Sequence, residues 1–198
     1  MMVKICGITN LDDALAAVDG GASALGFNFY PPSPRYIEPY DAAAIAAELP
    51  PGIWKVGVFV DESAEAIVRV AIEVGLAIAQ LHGRERPAQY PAGIRVWKAI
   101  RVGTEVGQAF RVPEVGDPVE AVLLDGPASG QTFDWTAAPR GIEKLILAGG
   151  LDAGNVRQAI EQVRPWGVDA CSRIEAVPGR KDRRKMAAFL QAVLAVPV

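Results

Sequence analysis

Two side chains able to trade protons close apolar runs far apart in the chain. Cys6 ends Val3-Lys4-Ile5-Cys6 and is followed at once by the turn Gly7-Ile8-Thr9. Asp125 ends Val122-Leu123-Leu124-Asp125, with Gly126 next. An ionised thiol at a strand end is a base or a nucleophile, and the plain alternative is a small hydrophobe that is simply buried. A carboxyl kept protonated by burial is what a general acid requires, and the alternative there is a cap for the following loop. Brought to one rim of a sheet, the two make an acid/base pair with room for a sugar between them.

Candidate anion-binding groups accompany that pair. Arg35 ends the proline-rich turn Tyr30-Pro31-Pro32-Ser33-Pro34-Arg35, and a guanidinium held there suits bidentate binding of a carboxylate. An ordinary solvated arginine fits the same residues. Gly149 and Gly150 offer exposed backbone N–H groups ahead of a helix that begins near Asp152 or Asn155, which is the makeup of a phosphate cradle. The loop through Cys171-Ser172-Arg173 would supply the other half, with Ser172 and Arg173 as candidate contacts. Beyond it stands Arg180-Lys181-Asp182-Arg183-Arg184-Lys185. Positive charge opposes the dipole at the start of a helix, so this run is easier to understand beside a bound anion, although such runs are usually solvated faces. The lone His82 closes Gln80-Leu81-His82 and reads as a structural hydrogen-bonding residue.

The elements that must position these groups recur as a strand-turn-helix alternation, counted eight times. The strands begin near Val3, Ala24, Trp54, Ala77, Ile94, Ala121, Ile142 and Gly167, and are short and apolar, as strands covered on both faces should be. Ile67, Val70, Ala71 and Val74 form a helical stripe with Ser63 as N-cap and Gly75 past its end. A second stripe runs from Val156 to Val163 before Pro165, and a third from Met186 to Leu194. The segments Glu85–Tyr90 and Phe133–Pro139 are too short and proline-broken for full helices. Glycine-rich turns that cluster late favour a closed (β/α)8 barrel of eight parallel strands, which binds phosphate after strands seven and eight, over an open doubly wound sheet. One domain over 1–198 is expected.

Composition narrows the class. The chain of 198 residues is 51% hydrophobic and 22% charged, an ordinary globular balance. No apolar run approaches the roughly 20 residues of a membrane span, and no leader is visible, so the expected setting is the cytoplasm. A net charge of −3 argues against nucleic acid, and one histidine argues against a His-based metal site. Two cysteines make no disulfide framework. The expected partner is a small phosphorylated molecule, with neither cofactor nor metal, and the chain is a monomer or a homodimer.

With these motifs in order, the sequence resembles the phosphoribosylanthranilate isomerase family. The resemblance rests on Lys4-Ile5-Cys6-Gly7-Ile8-Thr9, Gly26-Phe27-Asn28-Phe29-Tyr30, Ser33-Pro34-Arg35, Gly57-Val58-Phe59-Val60, Gln80-Leu81-His82-Gly83, Lys98-Ala99-Ile100-Arg101, Leu124-Asp125-Gly126, Phe133-Asp134-Trp135 and Leu147-Ala148-Gly149-Gly150-Leu151. It implies a metal-free (β/α)8 barrel that performs an Amadori rearrangement in tryptophan biosynthesis. Cys6 is then the general base, Asp125 the general acid, and Arg35 the contact for the anthranilate carboxylate. Such a site must lower the thiol's pKa and raise the carboxyl's. Two departures stand out. Pro127-Ala128-Ser129-Gly130-Gln131-Thr132 carries fewer glycines than the family's loop, and Cys171-Ser172-Arg173 stands where the family usually has Ser-Ser-Gly. The competing readings are a related phosphosugar isomerase of the histidine pathway, an enzyme serving both pathways, and an inactive barrel retained for binding, for which Arg173 is the clue. The first two usually use paired aspartates, against which Cys6 argues.

Overall fold

Eight apolar runs pair side by side in parallel until the last meets the first. The computed structural model describes residues 1–103 and 115–197. Its strands are β1 (Met2–Cys6), β2 (Ala24–Asn28), β3 (Trp54–Phe59), β4 (Ile78–Leu81), β5 (Arg95–Arg101), β6 (Val119–Asp125), β7 (Leu145–Leu147) and β8 (Gly167–Ala170), joined in that order as a closed barrel. The register closes through Ile5 opposite Leu25 of β2 on one side and opposite Ala170 of β8 on the other. The expected (β/α)8 architecture is therefore present.

The helices outside the barrel are α1 (Leu11–Asp19), α2 (Pro39–Ala47), α3 (Ala64–Val74), α4 (Val156–Val163) and α5 (Arg183–Leu194). Helix α3 has the expected ends, the Ser63 hydroxyl accepting from the Ala66 N–H and Gly75 turning left-handed after Val74. After β4 and β6 the chain makes only single 3₁₀ turns, at Pro87–Gln89 and Trp135–Ala137, where proline removes donors and fixes φ. Residues 104–114, in the connection from β5 to β6 where the strand-turn-helix alternation places a helix, lie outside the described residues, as does Val198. Between β8 and α5 the chain forms a small antiparallel hairpin, β9 (Glu175–Val177) with β10 (Arg180–Lys181).

Alternation along the strands divides the interior in two. Val3, Ile5, Leu25, Phe27, Leu81, Val168 and Ala170 face the helices. Met2, Ala24, Val56, Ile78, Trp97, Leu123 and Ile146 fill the barrel. Two residues per pleat period put Lys4 and Cys6 on the same inward row as Met2. Met2 thus lies at the closed bottom, Lys4 at mid-height and Cys6 at the open top. Bulky side chains fill the lower two layers, and the site takes the third.

Candidate active site

Above that filled core lies a cavity of about 740 Å³ at the C-terminal ends of the strands. Its wall includes Cys6, Asn28, Arg35, Gln80, His82, Asp125, Gly149, Gly150, Asp169, Ser172 and Arg173. Every candidate site residue taken from the sequence is therefore brought to one cavity. Of the barrel residues, Cys6, Asn28, Gln80, Asp125 and Asp169 share the inward parity of their strands. Cys6 and Asp125 sit on strands three places apart around the ring and line the same cavity.

Cys6 is surrounded by groups that favour its ionised form. The neighbouring Cys171 thiol is the main cause that lowers its pKa well below the ordinary thiol value, while the Cys171 sulfur itself points to Glu175 at 3.9 Å. Burial opposes the shift, and the charges of Lys4 and Lys181 add to it. Cys171 is pushed the other way, first by its interaction with Cys6 and then by burial. Gly26 makes this crowding possible. A side-chain carbon there would lie 2.7 Å from the Cys6 sulfur and 3.0 Å from the Lys4 nitrogen, so only glycine leaves both in place.

Lys4 is fully buried and donates to Asp169 at 2.8 Å. Burial alone would strip its proton. The opposing charges of Asp169 and then Cys6 more than offset that and hold Lys4 above its usual range. Asp169 is itself pushed up to about 7, first by burial, with Cys6 and Asp125 adding repulsion and Lys4 resisting. Among the described residues its second oxygen has no partner. One cation thus serves more than one anion.

Asp125 accepts from the backbone N–H of Gly126 at 2.9 Å with one oxygen. Its other oxygen stands 3.3 Å from His82 Nε2. His82, expected to be structural, therefore belongs to the site wall beside the acid. Arg35 is held by Glu175 in a two-pronged pair, Nε at 2.9 Å and Nη2 at 2.7 Å. Its face toward the cavity remains for a ligand. Glu175 is buried, accepts also from Lys181 at 3.0 Å, and stays ionised because Arg35 and Lys181 outweigh its burial.

The glycine pair after β7 takes left-handed backbone at both positions. Gly149 and Gly150 have φ of 81° and 62°. A side-chain carbon at Gly150 would meet the backbone of Gln131 and Thr132 at 2.8 Å. The loop after β6 therefore rests directly on this turn. Arg173 crosses the same place, donating from Nε to the Gly130 carbonyl at 2.9 Å and from Nη1 to Asp152 at 3.2 Å. The basic run beyond β8 differs from expectation. Lys181 is buried against Glu175, Lys185 donates to the Glu175 carbonyl, Arg183 stands 3.5 Å from Asp12, and Asp182 caps α5. Lys181, Lys185 and Arg183 thus have partners within the fold, which weakens the reason to place an anion beside the run.

The family described as N-(5'phosphoribosyl)anthranilate (PRA) isomerase matches residues 3–192. The chain belongs to that family. The N-(5'-phosphoribosyl)anthranilate isomerase of Solibacter usitatus is 50% identical over 202 residues, covering 98% of each chain. The solved phosphoribosyl anthranilate isomerase of Thermus thermophilus superposes with a TM-score of 0.90 at 38% identity, over 100% of both chains. A family structure in complex with reduced 1-(o-carboxyphenylamino)-1-deoxyribulose 5-phosphate superposes with a TM-score of 0.83 at 41% identity, over 98% of each.

Four groups at this family site were not singled out from the sequence: Lys4, Asp169, Glu175 and Cys171 as the thiol beside Cys6. A signal existed for two of them. Lys4 and Asp169 interrupt strands otherwise fit for burial on both faces, and a charge in such a strand demands a partner. Glu175 lay in a segment with no periodic pattern.

Proposed function

We propose that this chain isomerises N-(5'-phosphoribosyl)anthranilate to 1-(2-carboxyphenylamino)-1-deoxyribulose 5-phosphate, a step of tryptophan biosynthesis. It is an aldose-ketose isomerase, and the reaction is an Amadori rearrangement. The observation that carries the residue roles is the pair Cys6 and Asp125 in one cavity, with the thiol drawn toward its ionised form.

Asp125 gives a proton to the furanose ring oxygen, the C1–O bond breaks, and the nitrogen lone pair makes a cationic imine. That charge acidifies the C2 hydrogen. Cys6, as thiolate, removes it, and the electron pair left on C2 neutralises the imine to an enolamine, which tautomerises to the ketone. Each positioned proton transfer contributes roughly 10²–10⁴ in rate. His82 Nε2 lies 3.3 Å from the outer Asp125 oxygen. Arg35 meets the anthranilate carboxylate, its plane fixed by Glu175. Gly149, Gly150, Ser172 and Arg173 hold the phosphate. A phosphorylated sugar does not cross membranes unaided, which places the enzyme in the cytoplasm with the rest of its substrate supply.

The test follows loss of the substrate's fluorescence. Wild-type protein is expected to consume phosphoribosylanthranilate, while Cys6→Ala and Asp125→Asn fall at least 10³-fold and stay folded. Cys6→Ala retaining activity within tenfold would remove it as the base, and wild-type protein without turnover would overturn the assignment of activity.

A further inference from the structure

The reaction needs a thiolate at Cys6 in a half-buried position, where a lone negative charge is costly. The fold answers with a fixed positive charge one pleat below. Lys4 and Cys6 are two residues apart on β1 and face the same interior. Their nitrogen and sulfur both lie within 3.0 Å of the point a side chain at Gly26 would occupy, so they are at most about 6 Å apart. Lys4 cannot swing away, because it is fully buried and tied to Asp169 of β8. We propose that Lys4 is the positioning residue that holds Cys6 as the thiolate in the resting enzyme, with Asp169 fixing Lys4 beneath it. Lys4 touches no reacting atom and acts only through Cys6.

The surroundings of Cys6 support this assignment. From β1 itself comes Lys4, and the facing part of β2 is Gly26, without charge. From the chain after β8 come Cys171, a neutral thiol, and behind it Lys181, which stands 3.8 Å from the Cys171 sulfur. Asp169 of β8, Asp125 of β6 and Arg35 of the loop after β2 also bear on the cavity. Lys181 and Arg35 are both bound to Glu175. Lys4 is the cation directed at the thiol from below, and Asp169 leaves part of that charge unspent because it holds its own proton more readily than a free carboxylate. Proton transfer from C2 then turns an ion pair into a neutral thiol beside a lysine that keeps Asp169, so the lysine needs no rearrangement.

The proposal rests on Cys6 as the base, but its test reads the thiolate directly. In a Cys171→Ser background Cys6 is the sole thiol, since the chain has two cysteines. The rate of iodoacetamide alkylation against pH gives the midpoint of its ionisation. Removing a unit charge at this distance at an effective dielectric of about 20 predicts a rise of about two pH units in Lys4→Met. The acid limb of kcat/KM should move up with it, restoring turnover at higher pH. In Asp169→Asn the lysine charge is no longer shared, so the midpoint should fall.

A rise below one unit in folded Lys4→Met overturns the proposal, as does a midpoint that stays or rises in Asp169→Asn. Should Lys4→Met not fold, Asp169→Asn decides alone, a lower midpoint supporting the proposal and any other sinking it. Activity surviving in Cys6→Ala would sink the base assignment and leave this electrostatic result standing or falling by itself.

Discussion

At the residue scale, the departures of this chain from the family pattern fall beside the atoms that matter. Cys171 stands where the family pattern has a serine, and its thiol is the main cause that favours the ionised form of Cys6. A hydroxyl donates at least as well as a thiol, so Cys171→Ser should keep the thiolate and Cys171→Ala should not. The pKa of Cys6 then rises in Cys171→Ala, and less of it is ionised at neutral pH. A fall in kcat/KM of about tenfold at pH 7, recovered as the pH is raised, is expected, and an unchanged pH profile would remove Cys171 from the argument. Arg173, the second departure, ties the Gly130 carbonyl to Asp152 over the glycine turn while nearly half exposed. Arg173→Gly should weaken inorganic phosphate binding about three- to tenfold, as befits a solvent-screened charge, and reduce its dependence on salt. Tighter binding would show that the arginine obstructs the cradle. The candidate acid, base and glycine turn were legible in sequence because strand ends and glycines carry positional meaning. Lys4 and Asp169 were not recognised, although their charges inside apolar strands are a physical signal of a buried pair.

At the scale of elements, strands were easier to read than connections. Burial on both faces makes the barrel strands short and mostly apolar, and seven of the eight starts fall within two residues of the structure. The exception is β7, expected from Ile142 and found at Leu145–Leu147. An apolar residue in the approach cannot be told from strand by periodicity. The β9–β10 hairpin was invisible because it is built on charge, not pattern. Glu175 gathers Arg35, Lys181 and the Gly179 N–H into one buried cluster, so the basic run that suggested an anion site is partly the hairpin's own ion pair. Glu175→Gln leaves Lys181 charged, buried and unpaired, which costs about 3–5 kcal/mol. A lower Tm and a raised KM with a smaller change in kcat are expected, because Arg35 loses its anchor. Adding Lys181→Met should recover part of the Tm but not the KM. Recovery of both would mean that Arg35 has no binding role.

At the scale of the whole molecule, chemistry and stability occupy opposite ends of the barrel. The upper part of the barrel holds polar groups with atoms that lack a hydrogen-bond partner among the described residues, including Asp169 Oδ1, Gln80 Oε1 and His82 Nε2. The bottom is sealed by Trp54, Trp97 and Trp166, whose ring centroids lie 5.9 to 6.2 Å apart. Arg95 covers the Trp54 ring at 4.6 Å and Lys144 the Trp166 ring at 5.5 Å. Glu120 binds both cations, Arg95 at 2.6 Å and Lys144 at 2.7 Å. Its pKa is held down at about 2, chiefly by the hydrogen bond from Arg95. A carboxylate whose folded pKa lies below its unfolded value stabilises the fold above the unfolded value, near 4.5, and loses that contribution as pH falls toward 2. Glu120→Gln should therefore lower stability at pH 7 by about 1 kcal/mol, a modest figure because the group is partly wet. The gap between wild type and variant should narrow steadily in urea unfolding as pH is lowered from about 4.5. Isomerase activity at pH 7 should not change, since the cluster lies two layers below the cavity. A gap independent of pH would show that Glu120 acts through packing and not through charge.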